Sequence, residues 1–157
     1  MYKLLLFITT LFLFNTNVFS QPSSSNKVDK AIWVSDYDEA LALSKKENKP
    51  LLIYFTGSDW CIYCKRLKKD FLNSEEFKNR VDDDIILYEA NFPRNKSLVN
   101  ANQKADNYYL KRKFKVNVYP TLVVINSKQQ EINRQTGYNL KQNTQIHYKF
   151  IDKILVK

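Results

Sequence analysis

The two cysteines of this 157-residue chain, Cys61 and Cys64, are separated by only two residues and directly follow Trp60. A structural disulfide stabilises a protein mainly by closing a long loop of the unfolded chain, about 3 kcal/mol for a 15-residue loop, so such a close pair gains little from that effect. A zinc site usually has four ligands, and the single histidine, His147, lies far along the chain. The spacing therefore favours a dithiol that opens and closes over a structural crosslink, and a metal site becomes a minor alternative.

The position of the pair predicts that its two sulfurs differ. A continuous apolar run from Leu51 to Phe55 is typical of a strand buried on both faces, and a turn follows it. Cys61 comes next, at the start of a predicted helix whose free backbone N–H groups should stabilise a thiolate. One face of this helix is expected to point inward, and it carries Trp60, Cys64, Leu67 and Phe71. We expect Cys61 to be the exposed nucleophile and Cys64 the inward cysteine that resolves a mixed disulfide.

The rest of the chain alternates predicted strands and helices. Asp36 with Glu39, and Ser74 with two glutamates after it, are capping patterns for two helices. Strands are predicted at 31–34, 51–55, 85–90, 118–125 (interrupted by Pro120) and 131–136, and helices end near 48, 71 and 81 or span about 98–114 and 140–156. The residues expected to face inward near the end of the chain are Ile132 of the last strand and Ile146, Phe150 and Ile154 of the last helix. This order predicts an α/β domain with a mixed sheet of four to five strands and helices on both faces.

Three landmarks in this order resemble thioredoxin-fold proteins, in particular exported bacterial members with a Ser-Asp-Trp-Cys-x-x-Cys-Lys segment. They are Trp60 to Lys65 at a strand-to-helix junction, the tripeptide Tyr119-Pro120-Thr121 before a later strand, and Gly137 before the last helix. The landmarks extend the resemblance over residues 31–157. The resemblance implies a single thioredoxin-like domain over that range.

The resemblance also implies roles for residues around the dithiol. Pro120 matches the family's cis-proline, so that Tyr119 is expected to pair with the backbone of an extended substrate, and Trp60 to be partly core wall and partly substrate platform. Thioredoxins commonly bury an aspartate on the strand before the motif, and here Tyr54 is expected at that place. Glu89 on the neighbouring predicted strand is then the candidate proton acceptor for the inner cysteine. The alternative is a glutamate whose carboxylate simply reaches solvent.

Two other polar residues receive more modest expectations. Asp59 precedes the motif and is expected to cap the helix, to act on the thiolate as a nearby negative charge, or both. His147 is expected to be a structural or surface residue without chemistry.

The first residues predict export. A short charged start, an apolar stretch from Leu4 to Phe14 and a polar junction ending at Ser20 have the form of a signal peptide, cleaved after Ser20. Residues 21–30 are then a polar tether and 31–157 the domain. This stretch of eleven residues is shorter than the roughly 20 that a spanning helix needs, so an uncleaved membrane anchor is the lesser alternative. The expected location is the periplasm or the medium.

Together these features predict a thiol-disulfide oxidoreductase that acts on exported proteins with disulfides or thiols. Ile62 and Tyr63 between the cysteines carry no charge, which favours a reductase or isomerase over a strong oxidant. We expect a monomer without a cofactor, recycled by a separate redox donor or acceptor. The net charge of +9 is expected to reflect a lysine-rich surface rather than nucleic-acid binding. The alternatives are a peptide-binding or chaperone module with incidental thiols and, less favoured, a copper- or zinc-delivery protein.

Overall fold

The computed structural model describes residues 33–139, 141 and 143–155. The predicted signal peptide, the tether and the first two residues of the predicted first strand lie outside the described residues. The elements are β1 Trp33–Val34, α1 Tyr37–Glu47, β2 Leu51–Thr56, α2 Ile62–Leu67, a π-helical turn Lys68–Leu72, α3 Glu75–Val81, β3 Ile86–Asn91, a 3-10 turn Lys96–Leu98, α4 Ala101–Lys113, β4 Thr121–Ile125, β5 Glu131–Thr136 and α5 Gln145–Leu155. Among the helices of these described ranges, none is both long and apolar enough to cross a membrane.

The strands form one mixed sheet in the order β1-β3-β2-β4-β5. β1 and β2 run parallel to β3, which lies between them, whereas β4 runs antiparallel to both β2 and β5. The central strand β2 is buried at every one of its six positions, as its continuous apolar run predicts. The predicted fold class, a mixed sheet of four to five strands, is confirmed.

Helices cover both faces of this sheet, as predicted. Alternate residues of β2 point to opposite faces, so that Leu51, Ile53 and Phe55 join one core cluster and Leu52 and Tyr54 join the other. The first cluster includes apolar residues of α1 and α4, and the second includes those of α2, α3 and α5. The dithiol segment therefore belongs to the second core.

Side-chain caps fix where the helices begin. The Asp36 carboxylate accepts the N–H of Glu39 at 3.0 Å, and the Ser74 hydroxyl accepts the N–H of Phe77 at 3.1 Å, so both predicted caps are confirmed. The predicted start of α4 near Leu98 is wrong. Asn100 forms a reciprocal capping box with Gln103, which starts the helix at Ala101 and leaves Lys96–Leu98 as a separate 3-10 turn.

Two predictions for the end of the chain are also wrong. Ile132 is 50% exposed, because the register passes from the pair Val124 and Asn133 to the pair Ile125 and Glu131, which leaves Ile132 as the extra residue of a bulge. In α5 the predicted inward positions of Phe150, which is buried, and Ile154, which packs partly buried against the core, are confirmed, but Ile146 is 46% exposed and His147 and Ile151 are buried instead. The inward face thus includes His147, whose ring packs against those of Phe71 and Tyr138.

Candidate functional site: the Cys61–Cys64 dithiol and its surroundings

Cys61 and Cys64 form a disulfide at the junction between β2 and α2. Cys61 is the N-cap residue of α2, and its sulfur accepts the N–H of Cys64 at 3.2 Å. Cys64 is 1% exposed, as its inward position predicts, but Cys61 is also only 6% exposed. The prediction of an exposed Cys61 is therefore wrong for the disulfide form, since both cysteines belong to the core cluster beneath α2.

Asp59 does not cap the helix, because the N-cap position belongs to Cys61. Its two carboxylate oxygens instead accept the backbone N–H groups of Arg94 at 3.0 Å and Asn95 at 2.8 Å. These bonds, with that of Asn95 the strongest, lower the pKa of Asp59 below its usual value. Asp59 thus ties the segment before the cysteines to the loop that follows β3.

Trp60 forms a second tie to the same loop. Its indole N–H donates to the carbonyl of Phe92 at 2.8 Å, and its ring lies against Gly57, where an added Cβ would come within 2.3 Å of the Trp60 Cε2 atom. The ring remains 39% exposed and meets the ring of Tyr119 edge to face at 5.8 Å. One side of Trp60 is thus packed and the other is open, in agreement with the predicted mixed position of this residue.

Three residues in these ties were not found from the sequence: Gly57, Asn91 and Phe92. The side chain of Asn91 accepts the N–H of Ser58 at 3.0 Å and donates to the Ser58 hydroxyl at 2.8 Å. Phe92 stacks on Phe55 and also contacts Tyr119, with ring centroids 6.5 and 5.4 Å apart. The only available signal was the Asn-Phe-Pro sequence at the end of a predicted strand, which indicates a turn but not its partners.

The peptide bond between Tyr119 and Pro120 is cis, as the resemblance implies. Pro120 is buried, and the half-buried ring of Tyr119 lies between the rings of Trp60 and Phe92. Val118, just before it, is 52% exposed. The structure therefore brings Tyr119 and Trp60, two of the predicted substrate-binding residues, into contact beside the disulfide.

Tyr54 occupies the interior side of the dithiol. It is fully buried, and its hydroxyl donates to the backbone carbonyl of Cys64 at 2.9 Å. Burial raises the pKa of Tyr54 well above its usual value, and the charge of Glu89 raises it further, so this phenol stays neutral. No carboxylate occurs on β2, which leaves Glu89 as the acidic group nearest in register.

Glu89 lies directly opposite Tyr54 in the parallel pair of β2 and β3. Its side chain is 23% exposed and forms an ion pair with Lys68, the first residue of the π-helical turn. The backbone N–H of Lys68 bonds to the carbonyl of Cys64. The pair lines an open cleft of about 380 Å³ together with Trp33, Asn91 and Gln103. Glu89 is therefore neither an isolated buried acid nor a free surface acid. Its carboxylate is paired with Lys68, and Lys68 is in turn bonded through its backbone N–H to the carbonyl of Cys64.

His147 is fully buried and away from the cleft. Its Nε2 bonds to the carbonyl of Gly137 at 3.2 Å, and its ring packs against those of Phe71 and Tyr138. Burial lowers the pKa of His147 below its usual value, so the ring is held neutral. The expectation of a structural rather than chemical position agrees with these contacts.

Comparison with known proteins extends these observations. Residues 37–151 match the model of the thioredoxin-like domain family. The chain is 36% identical over 118 residues to the thioredoxin-related protein DsbJ of Chlamydia pneumoniae, covering 71% of this chain and 34% of that protein. It is 37% identical over 102 residues to the disulfide bond reductase DsbH of the same organism, covering 65% of this chain and 60% of that protein. The matches thus span about a third and three fifths of these relatives.

A solved structure of a DsbH oxidoreductase superposes with a TM-score of 0.72 and 28% identity, over 87% of this chain and 94% of that one. The family match covers the dithiol, the cis-proline and the whole described sheet except β1. Sequence, fold and site geometry thus agree, and the chain belongs to the thioredoxin-like domain family.

Proposed function

We propose that this protein is a thiol-disulfide oxidoreductase that reduces or isomerises disulfides of exported proteins through Cys61 and Cys64. The observation that carries the proposal is a disulfide between Cys61, at the N-cap, and Cys64, in the first turn of a helix in a thioredoxin-like fold. The name of the similar protein DsbH, a disulfide bond reductase, supports the same chemistry. The exported location rests on the predicted signal peptide.

In the reductive direction the cycle starts from the dithiol form. The Cys61 thiolate attacks one sulfur of a substrate disulfide, the substrate S–S bond breaks, and the other substrate sulfur leaves as a thiolate. Cys64 then loses its proton and attacks the Cys61 sulfur, which releases the second substrate thiolate and forms the Cys61–Cys64 disulfide. Two electrons pass from the protein to the substrate, and a separate dithiol donor must return them.

Substrate would be held on the open side of the site. Tyr119, next to cis-Pro120, presents backbone groups for strand-like pairing with an extended chain, and the exposed half of Trp60 provides an aromatic platform. Exposed Val118 adds apolar area at the same place.

Glu89 is the proposed acceptor for the Cys64 proton. Its carboxylate faces the cleft, lies opposite Tyr54 in register, and is balanced by Lys68 in the ground state. A proton on Glu89 would weaken its ion pair with Lys68, so the pair and the proton transfer are coupled. Glu89→Gln keeps the shape and removes the titrating group. An unchanged pH-rate profile for disulfide reduction in this variant would end the relay proposal.

The direction of electron flow is tested by the reduction potential. Reduction potentials in this fold run from about −270 mV for thioredoxin to about −120 mV for the most oxidising relatives. The uncharged residues Ile62 and Tyr63 between the cysteines support the reducing half of that range. A measured value near the oxidising end would reverse the proposed direction but leave the dithiol chemistry intact.

The decisive experiment traps the covalent intermediate. A Cys64→Ser variant expressed in the source cell should hold substrates as mixed disulfides on Cys61, because the resolving thiol is missing. The Cys61→Ser/Cys64→Ser double variant is the matched control and should hold none. If neither variant captures a partner while both retain binding to unfolded chains, the exposed apolar residues around the site would instead support a chaperone module.

A further inference from the structure

A positively charged groove adjoins the open side of the site. It is formed by the end of α4 and the segment that follows, has a volume of about 470 Å³, and is lined by Tyr108, Lys111, Arg112, Lys115, Val116 and Asn117. We refer to these six residues as the basic groove. It contains three cations and no acidic residue, and Val118 and Tyr119 follow it directly in sequence.

The three cations of the basic groove form no ion pair within the part of the chain that the structure describes. Lys68, Arg80 and Arg134 form ion pairs elsewhere in that part of the chain, whereas Lys111, Arg112 and Lys115, like Lys45 and Lys46, have no described carboxylate partner. The acidic residue nearest in sequence, Asp106, has its pKa raised by burial and, to a lesser extent, by the charges of Asp38 and Asp36. The last turn of α4 is thus a region of positive charge that favours an anionic partner.

The basic groove is continuous with the aromatic wall beside the disulfide, which is formed by the rings of Trp60, Phe92 and Tyr119. The Lys111 ammonium lies 5.4 Å from the ring centroid of Tyr119 and 5.5 Å from that of Phe92. On the other side of this wall, the Arg94 guanidinium lies 5.6 Å from the ring of Trp60. A chain paired along Tyr119 advances about 3.3 Å per residue, so residues only a few positions from its disulfide reach the cations.

We propose that the basic groove binds an acidic, extended segment of the substrate polypeptide next to the disulfide that is reduced. This inference rests on the proposed oxidoreductase function and adds a substrate class to it. Attraction by the cations accelerates the encounter and fixes the direction in which the chain crosses Tyr119. The preference for acidic substrates should weaken as salt is added, because the groove is open and its charges are screened.

The test uses two peptides that share one disulfide to a small neutral thiol and carry either three Glu or three Gln beside it. The wild-type dithiol form should reduce the Glu peptide with the higher kcat/KM. In Arg112→Glu/Lys115→Glu the ratio of kcat/KM for the Glu peptide to that for the Gln peptide should fall about tenfold, since two attractive charges become repulsive. The ratio for wild type should approach one in 0.5 M salt.

The matched control is Lys45→Glu/Lys46→Glu, which makes the same charge change on exposed residues at the end of α1. This helix ends just before β2 begins, whereas the disulfide follows the end of β2, so the control lies at the opposite end of that strand. The control should keep the wild-type ratio. A wild-type ratio of one at low salt, or equal losses in both double variants, would overturn the proposal.

Binding without turnover separates this inference from the proposed function. Versions of the peptides with Ser in place of Cys are titrated against the oxidised wild-type protein. Tighter binding of the Glu version, lost in Arg112→Glu/Lys115→Glu, supports the basic groove even if no peptide is reduced, a result that would count against the oxidoreductase function alone. Equal binding of both versions, or tighter binding of a single-stranded oligonucleotide or an anionic vesicle, would contradict an acidic polypeptide as the occupant.

Discussion

The outer and inner sides of the dithiol are built in different ways. On the outer side, the rings of Trp60 and Tyr119 remain partly exposed, and the cations of Arg94 and Lys111 lie over them. On the inner side, Tyr54 is fully buried, and Glu89 and Lys68 neutralise each other across a cleft. The outer side therefore offers area and charge to a partner, whereas the inner side offers groups that hold or move a proton.

This difference shows how two identical side chains acquire different roles. The outer residues are fixed by bonds to one loop, namely those of Asp59 to the backbone of Arg94 and Asn95 and that of Trp60 to Phe92. The inner residues are fixed by the sheet register, because Tyr54 and Glu89 are opposite each other on β2 and β3. Separate supports mean that each side can be changed with little effect on the other, and the following variants exploit that separation.

The largest expected effect is on the cysteines themselves. Cys61→Ser should reduce turnover of a small disulfide by at least about a thousandfold, because it removes the attacking thiolate. Cys64→Ser should keep the first attack and lose only the release step, so mixed disulfide accumulates. Stopped-flow assays with mass spectrometry separate the two outcomes. Equal alkylation rates for the two thiols of the reduced protein at neutral pH would contradict the assigned roles.

The next largest effect concerns the outer side. Gly57→Ala should lower the free energy of unfolding by about 1–3 kcal/mol, because the new methyl group collides with the Trp60 ring. In a Trp60→Ala background the same substitution should cost much less, and urea denaturation of all four proteins gives this coupling. Gly137→Ala is a useful contrast, because a methyl group added at Gly137 meets no atom within 4 Å although the residue has a φ of +79°. Equal costs of Gly57→Ala in both backgrounds would contradict the collision.

The buried His147 and the outer residue Asp59 should affect the pH dependence of stability in different pH ranges. The lowered pKa of buried His147 means that, below its unfolded-state value of about 6.5, the unfolded chain binds a proton that the folded protein does not. Stability should therefore fall as the pH decreases from about 6.5, by at most about 1.4 kcal/mol per pH unit. Because the pKa of Asp59 is lowered, its carboxylate instead stabilises the folded protein at pH values above the usual pKa of an aspartate. This stabilisation is lost only in stronger acid.

His147→Gln tests this assignment, since its amide nitrogen can replace Nε2 as the donor to Gly137. Urea denaturation of the oxidised protein at several pH values should show a smaller slope between pH 6.5 and 5 in this variant. An unchanged slope would show that the titration belongs to another group.

The smallest expected effect tests the inner side directly. Tyr54→Phe removes the bond to the Cys64 carbonyl and should lower stability by about 0.5–1.5 kcal/mol, since that carbonyl keeps its helical partner. Tyr88→Phe is a matched control, because Tyr88 is also buried and donates to Asn107 at 2.7 Å, away from the cysteines. Tyr88→Phe should lose at least as much stability, because it leaves the buried Asn107 Oδ1 without this donor, but only Tyr54→Phe should change the reduction potential or the reactivity of Cys64. A similar redox change in Tyr88→Phe would show that the bond from Tyr54 has no specific effect on the cysteines.

Local patterns were sufficient for much of this molecule. The apolar run of β2, the caps at Asp36 and Ser74 and the Cys-x-x-Cys spacing each depend on residues close in sequence, and the structure agrees with all three. Two of the errors occur where distant contacts decide. Ile132 faces outward because of a bulge against β4, and His147 is buried among aromatic rings in place of Ile146, which is exposed.

The sequence by itself determined the dithiol, the order of strands and helices and the resemblance that implies a cis-proline, because spacing and periodicity contain that information. Only the tertiary structure decided that Asp59 binds the loop after β3 instead of capping α2, that Glu89 is paired with Lys68, and that the Lys111 cation lies over the ring of Tyr119. These facts depend on which side chains meet across the sheet and between loops. These contacts depend on how segments far apart in the chain pack together, and no local sequence pattern encodes that packing.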